Sequence, residues 1–380
     1  MTTPPKIFSV FPNFDIGGAQ RRYATLANIW GEKYRHVIYS IGGSKEASQL
    51  FLPSVNHLII TPALENGVYD YRTRIEFITK RIKPDVILTA NWGSINWARA
   101  AASSGIRHIH TEDGFGAEEA TRRFLRRNFY RRFALRKAQI VVPSHCLMEI
   151  AQAEWGIKPQ NLHKISNGVA PNFFRNWEEK EAREDNDNNA LPFIMVCVAA
   201  LRPEKNIARL LTLFSDFQRL QKRQSRLIIA GGGPELDALR VMAENLKISR
   251  LVSFFGSVAD TAPIYGLGDV FVLTSKTEQQ PISVMEAMAS GLPIVSTDVG
   301  DIKNMVSEKN RPLISQNDDD ILSSLSQLAT LLRLGYYIGQ DNNKKAQALY
   351  REHFVAHAYE QLLFPNESSA THECYTGKIA

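Results

Sequence analysis

Short apolar runs rich in β-branched and aromatic residues alternate with longer amphipathic stretches, and the pattern occurs twice along the chain. The first series is residues 6–11 (KIFSVF), 36–40 (HVIYS), 57–60 (HLII), 85–90 (DVILTA), 108–111 (HIHT) and 140–143 (IVVP). A polar segment at 176–190 (NWEEKEAREDNDNNA) then interrupts, with the charge density of an exposed connection. The alternation resumes at 193–200 (FIMVCVAA), 226–231 (RLIIAG), 252–256 (VSFFG), 270–274 (VFVLT) and 293–297 (PIVST). Strands that alternate with helices build parallel sheets covered on both faces. Two such series in 380 residues predict an α/β protein of two doubly wound, Rossmann-like domains with a cleft between them. Ligands are expected at the carboxyl ends of the strands.

Residues 342–363 read as a last amphipathic helix, and the polar remainder holds a sequon at 366–368 that carries little weight. No run of 18 or more apolar residues is present, and the N-terminus lacks the basic and apolar regions of a signal peptide. Cys146, Cys197 and Cys374 are far apart and form no CxxC pair. That spacing argues against structural zinc and a disulfide framework, and suits a reducing cytoplasm. The net charge of +6 favours an anionic partner without saying which.

The chemistry concentrates at 277–300 (TEQQPISVMEAMASGLPIVSTDVG). Pro281 is placed to begin a helix, and Gly291 with Pro293 to end it. A strand, a tight turn and a helix start together leave free backbone N–H groups, a ready anion site. Glu278 precedes the helix and Glu286 lies within it, so each carboxylate can serve a different part of one ligand. Read singly, one is a loop charge and the other a helix-surface residue. Arg202 and Lys205, in LRPEKN after a strand, suit a diphosphate leaving group whose charge grows as the glycosidic bond breaks. Alone they are solvated loop cations. Gly231, Gly232 and Gly233 permit close backbone approach to a ligand, or simply turn the chain.

Taken together, LRPEKN, the Gly231–Pro234 turn, FFGSV and Glu278-x7-Glu286 followed by AMASGLPIVST resemble the retaining glycosyltransferases of the GT-B fold, and family 4 most closely. DIGGAQRR (15–22), HTEDG (110–114), VVPS (141–144) and ISNGV (165–169) extend the resemblance over nearly the whole chain. It implies an acceptor-side domain over 1–175, joined by a C-terminal helix at about 346–364, and a nucleotide-sugar domain over 190–345. It implies that Arg202 and Lys205 hold the donor diphosphate, Glu286 the ribose hydroxyls and Glu278 the transferred sugar. Gly17 and Gly18 match a loop that approaches the phosphates, and His110 a histidine near the sugar. A lone histidine serves packing as readily as catalysis. Gly232, Val258, Gln280, Pro281, Ile282 and Ser283 complete the implied donor contacts. Gln279-Gln280-Pro281 stands where Gly-Phe-Pro is common after the first glutamate, and Gln20 where an acidic residue is common. No nucleophile is placed for double displacement, so front-face attack through an oxocarbenium-like state is expected, with no metal or cofactor.

Asn91, Trp92 and Asp113 end strands in the first half and suit a sugar acceptor, whose faces stack while its hydroxyls hydrogen-bond. Trp92 reads equally as core. The stretch 121–137 (TRRFLRRNFYRRFALRK) holds eight Arg and Lys residues and no acid. As a helix it lines up Leu125, Phe129 and Phe133 on one face and Arg123, Arg127 and Arg131 on another. It either lies on an anionic membrane, suiting a lipid-linked acceptor, or packs its apolar stripe inward behind a solvated basic face. No nucleic-acid recognition module surrounds it.

The expected function is hexose transfer from a nucleotide-diphosphate sugar to a saccharide or lipid-linked acceptor, in cell-surface polysaccharide or glycolipid synthesis. The expected place is the cytoplasm or the inner face of the membrane. The competing readings are a nucleotide-sugar epimerase of the same fold and a non-catalytic nucleotide-sugar-binding membrane scaffold. There is no GxGxxG or GxxxxGK[ST] turn for a dinucleotide or P-loop protein, and His108 and His110 have no further ligand cluster for a metal hydrolase.

Overall fold

Every neighbouring pair of strands is parallel. The computed structural model describes residues 3–62, 70–115, 119, 124–174, 192–221, 224–334 and 336–365. The connection at 176–190, the sequon, Cys374 and residues 121–123, with Arg123, lie outside them. The chain divides into two compact units, Met1–Gly168 with Glu352–Ala380, and Val169–Arg351.

The first unit contains β1 (Lys6–Phe11), β2 (Arg35–Ser40), β3 (His57–Ile60), β4 (Val86–Ala90), β5 (Arg107–Thr111), β6 (Gln139–Val142) and β7 (Leu162–Lys164). Their spatial order is β3-β2-β1-β4-β5-β6-β7. The second unit contains β8 (Phe193–Val198), β9 (Ser225–Ala230), β10 (Val252–Gly256), β11 (Val270–Leu273) and β12 (Ile294–Ser296), in the order β10-β9-β8-β11-β12. In each sheet the chain runs outward from its first strand, then returns to that strand's other side. The loops after β1 and β4, and after β8 and β11, therefore part company at a switch point, where open α/β sheets hold ligands.

Side chains alternate across the second sheet and bury both faces. Met195, Cys197, Leu227 and Ile229 pack with Leu210, Leu211, Phe214 and Phe217 of the helix Ile207–Leu220. Val196, Ile228, Phe271 and Leu273 pack with Val284, Met285 and Met288 of the helix Ile282–Ala289. Each fully buried aliphatic or aromatic side chain contributes about 1.5–3 kcal/mol.

Three features differ from the sequence expectation. β7 has only three residues, two of them polar, so no apolar run announces it. The last helix is two, Gly339–Leu349 and Glu352–Leu363. Between them Tyr350 O accepts from Val169 N at 2.7 Å and Arg351 bridges Val169, a strand-type pairing that a helical backbone cannot make. Beside it, a Cβ on Gly168 would lie 2.7 Å from Glu352 Cα, so only glycine fits.

Third, the basic helix, Leu125–Ala134, is turned the opposite way to a buried apolar stripe. Leu125, Phe129 and Phe133 are 81%, 76% and 45% exposed, whereas Arg131 is completely buried. No helix among the described residues is long and apolar enough to cross a membrane.

Candidate active site

In the second unit the loops after β8 and β11 interlock. Thr274 Oγ1 donates to Asn206 O at 3.0 Å, and Lys276 N donates to Glu204 O at 2.8 Å. These ties bring Lys205 to Glu278, with Nζ 2.5 Å from Oε1. Ser275 Oγ donates to the same oxygen at 2.7 Å. The Glu278 side chain is 9% exposed, so its charge is held by one ammonium and one hydroxyl in a largely enclosed place. Arg202 is exposed and has no ion pair among the described residues. One turn into the helix Ile282–Ala289, Glu286 accepts from Tyr265 OH at 2.7 Å through Oε2. The Tyr265 phenol is raised well above its ordinary pKa by burial and then by the Glu286 charge, so it remains a donor.

The glycines of the 231–233 turn answer to the protein itself. A Cβ on Gly231, whose φ is +147°, would lie 1.8 Å from Ala199 O, and one on Gly233 2.3 Å from Leu201 O. A Cβ on Gly232 would meet Ser257 Oγ at 2.4 Å. The turn is thus pressed onto the backbone that leads into Arg202 and Lys205. Gly300, with φ +57°, plays the same part behind Glu278, since a Cβ there would lie 2.5 Å from Glu278 O.

Of the other donor residues read from the sequence, Pro281 is buried and caps the helix at its N-terminus rather than opening it. Ile282 and Val258 are partly buried on the apolar cluster beneath, and Ser283 is half-buried in the first turn. Gln280 is buried rather than solvated, and the Gln279 Oε1 atom is buried without a hydrogen bond. Gly17 and Gly18 open the helix Gly18–Trp30 of the first unit. A Cβ on Gly17 meets only the side-chain end of Gln20, and one on Gly18 meets nothing within 4 Å. Neither glycine is demanded by packing.

In the first unit, Asn91, Trp92 and Asp113 line one cavity of about 500 Å³, together with Glu112, Phe115 and Arg127. Asn91 has φ 59° and ψ 170°, a region nearly confined to glycine that costs on the order of 1–3 kcal/mol. Its side chain secures that geometry, with Oδ1 accepting from Asp113 N at 2.8 Å. Asp113 is also gripped by both terminal nitrogens of Arg22, which donates to Asn167 Oδ1 at 3.0 Å. Burial, the largest single influence, would lower the Arg22 pKa, but the charge and hydrogen bond of Asp113 together with Tyr359 outweigh it and leave it raised.

Behind this cavity Glu112 and Arg131 are both fully buried, with Arg131 Nε 3.4 Å from Glu112 Oε2. Arg131 also lies 3.6 Å from Glu119, and its guanidinium sits 4.9 Å from the Trp92 ring centre and 5.0 Å from that of Trp155. Arg127 pairs with Glu119 at 2.9 Å and covers Trp92 at 5.1 Å. These acids and rings explain why the helix turns its arginines inward: a guanidinium pairs with carboxylates and stacks on aromatic faces, which its apolar stripe cannot do. Trp92 is therefore engaged by two cations as well as lining the cavity. His110 is enclosed, with Nδ1 2.8 Å from Thr89 Oγ1 and Nε2 3.6 Å from Glu112 Oε2. Its neighbour Glu112 lines the cavity.

Sequence reasoning passed over Arg22, Glu112, Ser275 and Tyr265. Two of them stand inside quoted motifs, DIGGAQRR and HTEDG, but nothing local shows that Arg22 and Asp113 meet across 91 residues.

Comparison with known proteins finds a family description for each half of the chain. The family description Glycosyl transferases group 1 matches residues 178–333, and Glycosyltransferase Family 4 matches residues 16–173. The chain belongs to the family 4-like glycosyltransferases of the GT-B fold. Among curated relatives, this glycosyltransferase is 25% identical over 186 residues to the alpha-monoglucosyldiacylglycerol synthase of Streptococcus pneumoniae, covering 46% of this chain and 42% of that one. It is 31% identical over 154 residues to the Acholeplasma laidlawii enzyme of the same name, covering 37% and 38%. The match thus spans less than half of either relative's length. Among solved structures, Anabaena Alr3699/HepE, in complex with UDP and glucose, superposes with a TM-score of 0.75 at 14% identity, covering 94% of this chain and 99% of that one. That likeness concerns the fold.

Proposed function

We propose that this glycosyltransferase moves a hexose from a nucleoside diphosphate sugar to a saccharide or lipid-linked acceptor, with retention at the anomeric carbon. The observation that carries the reading is the Lys205–Glu278 pair at the β8/β11 switch point, with Glu286 one turn into the helix that follows. An ammonium has three donors, so Lys205 can hold a diphosphate oxygen while it still orients Glu278. Arg202, exposed and without an ionic partner among the described residues, supplies the second cation. Together they neutralise the charge that grows on the leaving phosphate, so the reaction asks for no metal. Glu278 meets the sugar hydroxyls and Glu286 the ribose, and in the first unit the open helix start at Gly17 and Gly18 leaves room for a phosphate group.

The acceptor enters the cavity of Asn91, Trp92 and Asp113. Asp113, fixed by Arg22 and Asn91, orients an acceptor hydroxyl, and the departing phosphate takes that hydroxyl's proton as attack proceeds on the face it vacates. His110 acts through Glu112 rather than on the sugar. The bound UDP and glucose of the Anabaena protein, and the lipid products named for the two synthases, support a nucleotide-linked hexose and a lipid acceptor.

The acceptor side also meets a membrane, at the cytoplasmic face, through Leu125, Phe129 and Phe133. Exposed Arg126, Arg132 and Arg136 flank that stripe, the composition of an interfacial helix on anionic lipid. The deciding experiment measures nucleoside diphosphate release with UDP-, GDP- and dTDP-hexoses, with and without a bacterial lipid extract. Release should rise with acceptor and vanish in Glu278→Ala at unchanged melting temperature. Wild-type turnover by that variant would refute the reading.

A further inference from the structure

We propose that Ser275 and Tyr265, two buried hydroxyls, are positioning residues that fix the orientation in which the carboxylates of Glu278 and Glu286 meet the donor. The inference rests on the donor site proposed above and concerns residues beneath it.

Glu278 sits in a loop, where no helical geometry limits it, and the terminal torsion of a glutamate is broad and roughly two-fold. Two donors nevertheless converge on a single oxygen. Lys205 Nζ and Ser275 Oγ reach Oε1 at 2.5 and 2.7 Å, and Oε2 makes no hydrogen bond among the described residues. A half-turn only exchanges two equivalent oxygens, so what the two donors fix is the tilt of the carboxylate plane and the direction of the oxygen left to the ligand. The ammonium rides on a flexible stem and can follow a change of tilt. Ser275 cannot. It is 1% exposed, and its carbonyl accepts from Thr297 Oγ1 at 2.7 Å. The hydroxyl, not the lysine, is the fixed reference.

Glu286, too, is held by a buried hydroxyl. Tyr265 is wholly buried between Phe173 and Phe271, each at 5.8 Å between ring centres, and its OH donates to Oε2 at 2.7 Å. Its raised pKa keeps the proton on the phenol. In both cases a buried neutral hydroxyl holds the acid without itself adding charge.

The test uses the full chain and whichever of UDP, GDP and dTDP binds tightest, together with its tightest-binding hexose conjugate. Ser275→Ala is expected to leave nucleotide affinity unchanged and to weaken the sugar conjugate and slow transfer by about tenfold, the effect of one hydrogen bond to a charged group. Ser275→Thr, which keeps the hydroxyl, is expected to restore both. Tyr265→Phe is expected to weaken nucleotide and conjugate equally, and to cost nothing further in a Glu286→Ala background. A wild type that binds and transfers, beside a Ser275→Ala protein that loses both ligands equally or neither, would overturn the positioning role alone. A folded wild type that binds none of the nucleotides would overturn the donor site and this inference with it.

Discussion

Arg131 and Glu112, both without solvent exposure, face each other at 3.4 Å behind the cavity of the first unit. The pair holds together the wall that carries Trp92 and Asp113. Replacing Arg131 by Met strands a carboxylate in the interior and should destabilise the first unit by about 3–5 kcal/mol. Adding Glu112→Gln should recover part of the loss. Urea unfolding of the three proteins checks this, and a double variant no more stable than the single one would count against the pairing.

Two glycine substitutions should behave in opposite ways. Gly231→Ala drives a methyl to within 1.8 Å of Ala199 O and should cost about 1–3 kcal/mol while weakening nucleotide binding, because the Arg202–Lys205 backbone must move. Gly18→Ala meets nothing within 4 Å and should leave the melting temperature unchanged or slightly raised, yet slow transfer if phosphates pass there. Melting curves and nucleotide titrations separate the two. Equal behaviour would show that neither glycine has the role given to it.

The exposed stripe predicts binding to vesicles containing phosphatidylglycerol. Phe129→Ser with Leu125→Ser should abolish it, and glutamine at 126, 132 and 136 should weaken it by about 1 kcal/mol per charge removed. Arg127 and Arg131 are unsuitable for this test because both serve the interior. Co-sedimentation at low and high salt provides the measurement, and identical binding by wild type and the double serine variant would dismiss the surface.

Acid should loosen the first unit. Burial first, then the neighbouring His57, lowers His36 to about 4, and burial with His110 lowers His108 to about 3. The unfolded chain takes up these protons near pH 6.5 while the folded one refuses them. Stability is therefore full above 6.5 and declines as pH falls towards 4 and then 3. His36→Gln should flatten part of that decline in pH-dependent unfolding, and a constant difference between the two proteins across the range would disprove the assignment.

The strands were legible because buried parallel strands are continuous apolar runs, and β7 was not because Leu162–Lys164 supplies only one apolar residue. The placement of Lys205 and Glu278 at strand ends was equally readable from order along the chain. What the sequence withheld was orientation. A periodic pattern shows that Leu125–Ala134 has an apolar and a basic face, but which one turns inward depends on Glu112 and Glu119, acids outside the helix. In sequence the Gly231–Gly233 turn reads either as room for a ligand or as a simple turn, and its tightest neighbours are carbonyls of residues 199 and 201, which no local pattern reveals.

The junction at Gly168 and Glu352 makes the second unit, topologically, an insertion into the first. Their backbones already touch, so a chain spliced from 168 to 352 with a glycine or two between would need no stretching to close. Such an abridged protein would retain all seven strands of the first sheet and its terminal helix, and it would offer the cavity of Asn91, Trp92 and Asp113 for study with the second unit removed.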